Sequence, residues 1–200
     1  KASDVIQSTE TENLDIMPSD LSLAIADFRL SSEQNKEFRL RKKLLPIENQ
    51  YDFALIDSPP TFGTLTMNAF TAGNEIILPM QLEYLSLQGV SNFIDTLNFV
   101  NEEVNSIINH KIEIGGVLLT FFNTRTKLSK EVHAAVDKIF DKKVFQAKIP
   151  QNVKLGEAQS HGQSIFEYDA RCKGAKAYEK LAEEISLKYA KERKCPTSVK

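Results

Sequence analysis

Apolar positions along the chain follow two different periods. Asn13–Pro18, Tyr51–Ser58, Glu75–Met80, Ile114–Phe122 and Val144–Pro150 are short apolar segments that read as strands. Three of them are nearly continuous apolar runs, as expected for strands buried on both faces of a parallel sheet. Between them the spacing changes to that of helices. Leu87, Val90, Ile94, Leu97, Val104 and Ile108 form one stripe, and Leu128, Val132, Ala135, Val136 and Ile139 a second. Tyr178, Leu181, Ala182, Ile185 and Tyr189 form a third. Strands alternating with helices over short connections predict βαβ units, hence a three-layer α/β fold with a mostly parallel sheet. Residues 1–190 are expected to form one domain. The apolar stripe fades over Lys191–Lys200, which predicts a frayed tail.

Composition narrows the class. Of 200 residues, 42% are hydrophobic and 26% charged, the balance of a globular protein. No apolar run approaches the ~18 residues that a membrane span needs. Cys172 and Cys195 lack metal-type spacing, and the first residues show no export signal, so a reducing cytoplasm is the expected location. The net charge of −2 hides an asymmetry. Residues 1–122 carry 8 basic and 17 acidic side chains, whereas residues 123–200 carry 17 basic and 10 acidic. A balance of +7 in the second stretch predicts either an anion-binding face, nucleic acid being one candidate, or a set of lysine-rich solvated helices. The basic island Lys36–Lys43 has the apolar spacing of a solvated amphipathic helix.

In open α/β sheets ligands bind at the C-terminal ends of the strands. Those ends carry Asp57-Ser58-Pro59-Pro60, Pro79-Met80-Gln81, Phe122-Asn123-Thr124-Arg125 and Ile149-Pro150-Gln151-Asn152. Tyr51–Asp57 is an apolar run closing on a carboxylate, the pattern of a Walker B strand. Such a carboxylate can hold a water of a Mg²⁺ shell, or simply cap a turn. Ser58–Gly63 is a proline-stiffened loop with a glycine at its end, which suits a segment that senses a phosphate. His161 reads as structural, and His110 and His133 as incidental. No Ser-His-Asp arrangement or zinc signature emerges from the spacing.

Tyr51–Gly63, YDFALIDSPPTFG, followed by Leu65-Thr66-Met67-Asn68-Ala69, resembles switch II of the ParA/Soj partition ATPases, deviant Walker A members of the P-loop NTPases with MinD as a cousin. The similarity continues through Leu78–Gly89, Gly116–Thr120 with Arg125-Thr126, Ile149–Ala158, Ser160-His161-Gly162, and Lys173-Gly174-Ala175 with Tyr178. The resemblance implies that Asp57 is the catalytic Mg²⁺-side carboxylate, acting through water. It also implies that Pro59, Phe122, Asn123, Pro150, Gln151 and Asn152 contact ATP or ADP, and that Arg125 and Lys154 contact DNA without sequence preference. An ATP-sandwiched homodimer, a ParB-like centromere-binding partner and a nucleoid-associated cytoplasmic location complete the expectation.

One element of the family pattern is not in the sequence. The glycine-rich loop of the form K-G-G-V-G-K-T-T, whose lysines and backbone N–H groups cradle phosphates, does not occur among the 200 residues. The chain opens on Lys1, so the expectation is the later part of a longer protein, inactive in ATP hydrolysis as it stands. Two other readings follow from the same residues. A DNA- or partner-binding adaptor without turnover is one. A MinD-like membrane-cycling ATPase is the other, although Lys188–Lys194 offers little apolar area for anchoring.

Overall fold

A computed structural model describes residues 1–30, 32–59, 61–81, 84–123 and 127–193. The chain divides into two compact units, Lys1–Glu75 with Asp95–Glu113, and Ile76–Ile94 with Ile114–Lys200. Among the described residues no helix is long and apolar enough to cross a membrane.

The first unit begins with a small antiparallel hairpin, β1 (Gln7–Ser8) and β2 (Asp15–Ile16), in the register Gln7↔Ile16 and Ser8↔Asp15. Asn13 turns the chain at φ 61°, and the Thr9 hydroxyl donates to the Leu14 carbonyl at 2.7 Å. The expected strand Asn13–Pro18 is therefore two residues of an exposed hairpin and no member of the parallel sheet. Local turn closure decides its pairing, and Leu14 and Ile16 stay exposed.

Helices α1 (Ala26–Leu30), α2 (Arg39–Leu44) and α3 (Thr64–Ala72) follow. The buried face of α3 is largely polar: Thr66, Asn68 and Thr71 are all inside. Each is satisfied. Asn68 Nδ2 donates to the Lys36 and Thr64 carbonyls at 2.7 and 2.8 Å, while its Oδ1 accepts from Leu40 N–H at 2.8 Å. Thr71 Oγ1 donates to the Glu37 carbonyl at 2.6 Å. Asn68 Oδ1 thus stands in for a missing carbonyl at the start of α2, where helical N–H groups have no intrahelical acceptor, while the bonds to Lys36 and Glu37 reach carbonyls just before it.

Tyr51–Ser58 is irregular backbone outside both sheets, contrary to the strand expected there. Leu55 is 89% exposed. An apolar run becomes a buried strand only where strands flank it on both edges, and the described residues bring none to this one. The first unit closes with Asn101, whose amide pairs both ways with Ile112: Nδ2 donates to its carbonyl at 2.9 Å and Oδ1 accepts its N–H at 3.0 Å. His110, expected to be incidental, donates from Nε2 to the Gly73 carbonyl at the end of α3, at 2.8 Å.

The second unit holds the parallel sheet. β3 (Glu75–Gln81) and β4 (Glu113–Thr120) are neighbours, joined through α4 (Tyr84–Phe99) and the turns that follow it. Helical backbone continues past α4 as a π turn over Val100–Val104 and a 3-10 turn over Asn105–Ile108, so the long stripe expected to Ile108 is one helix with a loosened end. Val144–Pro150 lies parallel to β4, bridged at Val117↔Val144 and Phe122↔Pro150. Its hydrogen bonds run from Phe145 N–H to Val117 O and from Ile149 N–H to Leu119 O, both 2.9 Å. Four residues advance on this segment while two advance on β4, which makes a bulge. Two of the three N–H groups between them, Gln146 and Ala147, donate to the two carboxylate oxygens of Glu184 at 2.9 and 3.0 Å.

Helix α5 (Lys127–Phe140) buries Val132, Val136 and Phe140. The chain then passes through α6 (Val153–Ser160) and α7 (Ile165–Asp169) into α8 (Lys173–Arg193). α8 extends three residues into the tail expected at 191–200; the rest of that tail lies outside the described residues. Leu118, Phe145, Ala147, Ile149 and Leu181 form one core cluster. Ala158, Ile165 and Ala175 form another.

Two substitutions test this packing. A Cβ on Gly116 would stand 2.2 Å from the Phe145 ring, so Gly116→Ala is expected to lose about 1–3 kcal/mol in urea unfolding. Glu184→Ala strands the two bulge N–H groups, Ala147 among the buried residues, and is expected to cost about 1–3 kcal/mol in the same assay.

Candidate functional site

Where β4 and Val144–Pro150 end, their parallel bridge sets Phe122 beside Pro150, with Phe122 N–H donating to Ile149 O at 2.9 Å. Phe121 makes the turn at φ 50°. Asn123 follows Phe122 directly, and Gln151 and Asn152 follow Pro150, so five of the residues expected at a nucleotide are gathered at one end of the sheet. Gln151 and Asn123 are exposed, whereas Pro150, Phe122 and Asn152 are half-buried. Phe122, Asn123, Ser129, Lys130 and His133 line a small cavity of about 120 Å³.

His133 of that lining belongs to a pair which spacing did not reveal. Lys148 Nζ lies 2.7 Å from His133 Nε2 and 4.9 Å from the centre of the Phe122 ring. An ammonium has only protons to give, so Nε2 accepts and the single proton of the neutral imidazole sits on Nδ1. The His133 ring meets Phe122 edge-on at 5.8 Å. Asp137 stands 3.5 Å from the same Nε2. His133 is thus a structural partner of the strand end rather than incidental.

Asn152 caps α6, its Oδ1 accepting the Lys154 N–H at 3.0 Å. The helix ends on Gly162 at φ 65°, where Gly162 N–H bonds Gln159 O and Gln163 N–H bonds Ala158 O, both at 3.0 Å. That is a Schellman closure, and it needs glycine at the left-handed position. Ser164 and Glu167 then form a capping box that starts α7.

These caps fix the orientation of Lys154, in the first turn of α6. Its Nζ lies 2.8 Å from Glu157 Oε2 and 5.5 Å from the centre of the Tyr168 ring. The Tyr168 hydroxyl donates to the same Oε2 at 2.9 Å. The hydrogen bond from Lys154, then that from Tyr168, holds the Glu157 carboxyl below its usual range, and Glu157 in turn raises the Lys154 ammonium. The pair stays charged above the lowered range of Glu157 and below the raised range of Lys154. His161 stacks at 5.1 Å on Tyr168, with Nδ1 2.8 Å from the Glu157 carbonyl, the structural role expected of it. The i,i+3 spacing of Lys154 and Glu157 was visible in the sequence; Tyr168, across the turn, was not.

Asp57 and Pro59 belong to the first unit and lie exposed. The loop after Asp57 is fastened to α3, because Thr66 Oγ1 donates to Thr61 O at 2.5 Å and reaches Pro59 O at 3.4 Å. Among the described residues no cluster of three His, Cys, Asp or Glu side chains could hold a metal. A lone exposed carboxylate nonetheless suits Mg²⁺, which keeps most of its waters and takes one or two carboxylates together with nucleotide phosphates. Arg125 lies outside the described residues.

Comparisons with known proteins identify the family and the fold. The family model described as an AAA domain matches residues 1–114. The chromosome-partitioning ATPase Soj of Treponema pallidum is 44% identical over 181 residues, covering 90% of this chain and 70% of that protein. The sporulation initiation inhibitor protein Soj of Bacillus subtilis is 40% identical over 183 residues, covering 92% and 71%. Among solved structures, cobyrinic acid a,c-diamide synthase from Mycobacterium smegmatis with bound ATP analog and magnesium superposes with a TM-score of 0.78 at 27% identity, over 100% of this chain and 72% of that one. The Pyrococcus furiosus cell division ATPase MinD gives a TM-score of 0.67 at 22% identity, over 93% and 70%, a likeness of fold. The fold is therefore the helix-rich α/β fold of P-loop NTPases. With such identities over nine-tenths of its length, the chain belongs to the ParA/Soj family of partitioning ATPases.

Proposed function

We propose that the protein works in DNA segregation as an ATP-dependent switch. It binds ATP with Mg²⁺, pairs with a second copy around the nucleotide, and in that state holds DNA without sequence preference. A ParB-like centromere-binding partner stimulates hydrolysis and releases it. The observation that carries this reading is the junction of Phe122 and Pro150 at the C-terminal ends of two parallel strands, with the first turn of α6 and Lys154 immediately beyond.

Each residue then has a physical task. Pro150, Gln151, Asn152, Phe122 and Asn123 surround the base, with Asn152 also fixing the start of α6. Asp57 would hold a water of the Mg²⁺ shell, and Pro59 stiffens the loop behind it. Bound Mg²⁺ supplies neutralisation of the phosphate charge. The 200 residues contain no glycine-rich K-G-G-x-G-K segment, and phosphate cradling is assigned to none of them.

Arg125 and Lys154 reach phosphate oxygens by charge rather than by base-edge geometry, so binding is salt-sensitive and sequence-tolerant. Pairing two copies doubles such contacts on one DNA and converts weak attachment into avidity. The working location is the nucleoid in the cytoplasm.

In the whole protein as its gene encodes it, Arg125→Glu with Lys154→Glu is expected to abolish binding to an arbitrary duplex while ATP binding persists. DNA affinity retained at low salt would remove this surface from the mechanism. Asp57→Asn is expected to lower Mg²⁺-dependent ATP turnover by roughly 10- to 100-fold, the loss typical of an outer-sphere metal partner. Unchanged turnover across a Mg²⁺ titration would reject Asp57 as the metal-side carboxylate.

A further inference from the structure

We propose that Glu157, held in place by Tyr168, is an intramolecular competitor for the Lys154 ammonium, so that DNA phosphate must displace a built-in carboxylate before Lys154 can engage it. This rests on the reading of Lys154 as a DNA contact. The geometry has three parts. Glu157 Oε2 receives both the Lys154 ammonium at 2.8 Å and the Tyr168 hydroxyl at 2.9 Å. The Tyr168 ring lies under the same ammonium at 5.5 Å, which adds a cation–π contact to the ion pair. Tyr168 itself is fixed, because α7 begins on the Ser164–Glu167 capping box and buries Ile165, and the His161 ring lies against it.

Glu157 sits three residues further along α6 than Lys154, and the Tyr168 hydroxyl holds its carboxylate beside the ammonium. Lys154 is the movable member: its flexible side chain is 45% exposed and can turn from Glu157 to a phosphate. The exchange replaces one anion by another. It therefore returns less free energy than a lysine with no partner would gain, and this weakens the DNA contact without abolishing it. Tyr168 strengthens the competitor twice, by orienting the carboxylate and by offering its ring face to the ammonium.

The test is a double-mutant cycle on the ATP-loaded whole protein, measured by fluorescence anisotropy with a short duplex of arbitrary sequence over a range of salt. Glu157→Gln is expected to bind about two- to fivefold tighter, the scale of a half-exposed ion pair. It is also expected to steepen the slope of log K against log salt by up to about 0.9, the release from one phosphate contact. In a Lys154→Ala background the same substitution is expected to change nothing. Glu179→Gln, which removes an equal charge from α8, serves as the control and is expected to leave affinity unchanged. Equal tightening by Glu157→Gln with and without Lys154 would overturn the competition and leave a general charge effect. Weaker binding by Glu157→Gln would overturn it too, since Glu157 would then be assisting Lys154. If Lys154→Ala alone leaves DNA affinity unchanged, the underlying DNA-contact reading fails, an outcome distinct from the other two.

Discussion

Backbone N–H groups inside a sheet need acceptors, and the strand that carries the candidate site runs short of them for two residues. Between the bonds to Val117 and Leu119, Gln146 and Ala147 point at no carbonyl of β4; both oxygens of Glu184 take their place. This carboxylate lets Val144–Pro150 gain on β4 and still rejoin it at Phe122↔Pro150. Counted between the bridges Val117↔Val144 and Phe122↔Pro150, the net gain is one residue; without it Pro150 would lie one position off Phe122, and the turn into α6 would start elsewhere. Four residues beyond Glu184 on α8, Lys188 donates to the Gly115 carbonyl at 2.9 Å. One face of α8 thus supplies an acceptor and a donor to the sheet, alongside the apolar contact made by Leu181 and Ile185.

From Pro150 onward, local chemistry takes over from the sheet. Asn152 opens α6, Gly162 closes it, and Ser164 opens α7 only four residues after α6 ends. With both ends of α6 fixed, Lys154 and Glu157 share one face, and α7 brings Tyr168 against them. The cluster is the product of three capping signals in succession, each read by its own few residues.

That difference between local and distant determinants governs what could be read in the chain. β3, β4, α5 and α8 follow from the apolar pattern alone: the two strands are near-continuous apolar runs, with Gly116–Leu119 of β4 buried on both faces, and each helix turns an apolar stripe inward. The bulge in Val144–Pro150 does not, since its acceptor is 37 residues away from Ala147. α3 escapes the pattern for another reason: Thr66, Asn68 and Thr71 are polar yet inside, satisfied by backbone from residues 36–40 and from their own helix or loop. Tyr51–Ser58 errs in the opposite direction. Its composition states what environment the run would suit, and the exposure of Leu55 and Phe53 shows that composition does not supply the neighbours. The strand-end rule grouped Phe122, Asn123 and Pro150, and the structure brings these three to one end of the sheet. His133 and Lys148, fifteen residues apart, meet only because α5 and the bulged strand run side by side.

The same distinction changes the meaning of the basic C-terminal stretch. A balance of +7 over residues 123–200 suggests a surface ready for a polyanion, but several of its lysines already have internal work. Lys148, over the Phe122 ring, donates to His133, Lys188 to the Gly115 carbonyl, and Lys154 to Glu157. The first two partners are neutral, and each lysine also helps to hold its strand, so moving either to a phosphate disturbs the sheet. The third partner is an anion on the same helix, and releasing it disturbs only a side-chain pair. A cation is useful to DNA when it can exchange one negative partner for another at small structural cost. By that criterion Lys154 is distinguished from its neighbours by the kind of partner it holds, and net charge alone could not have singled it out.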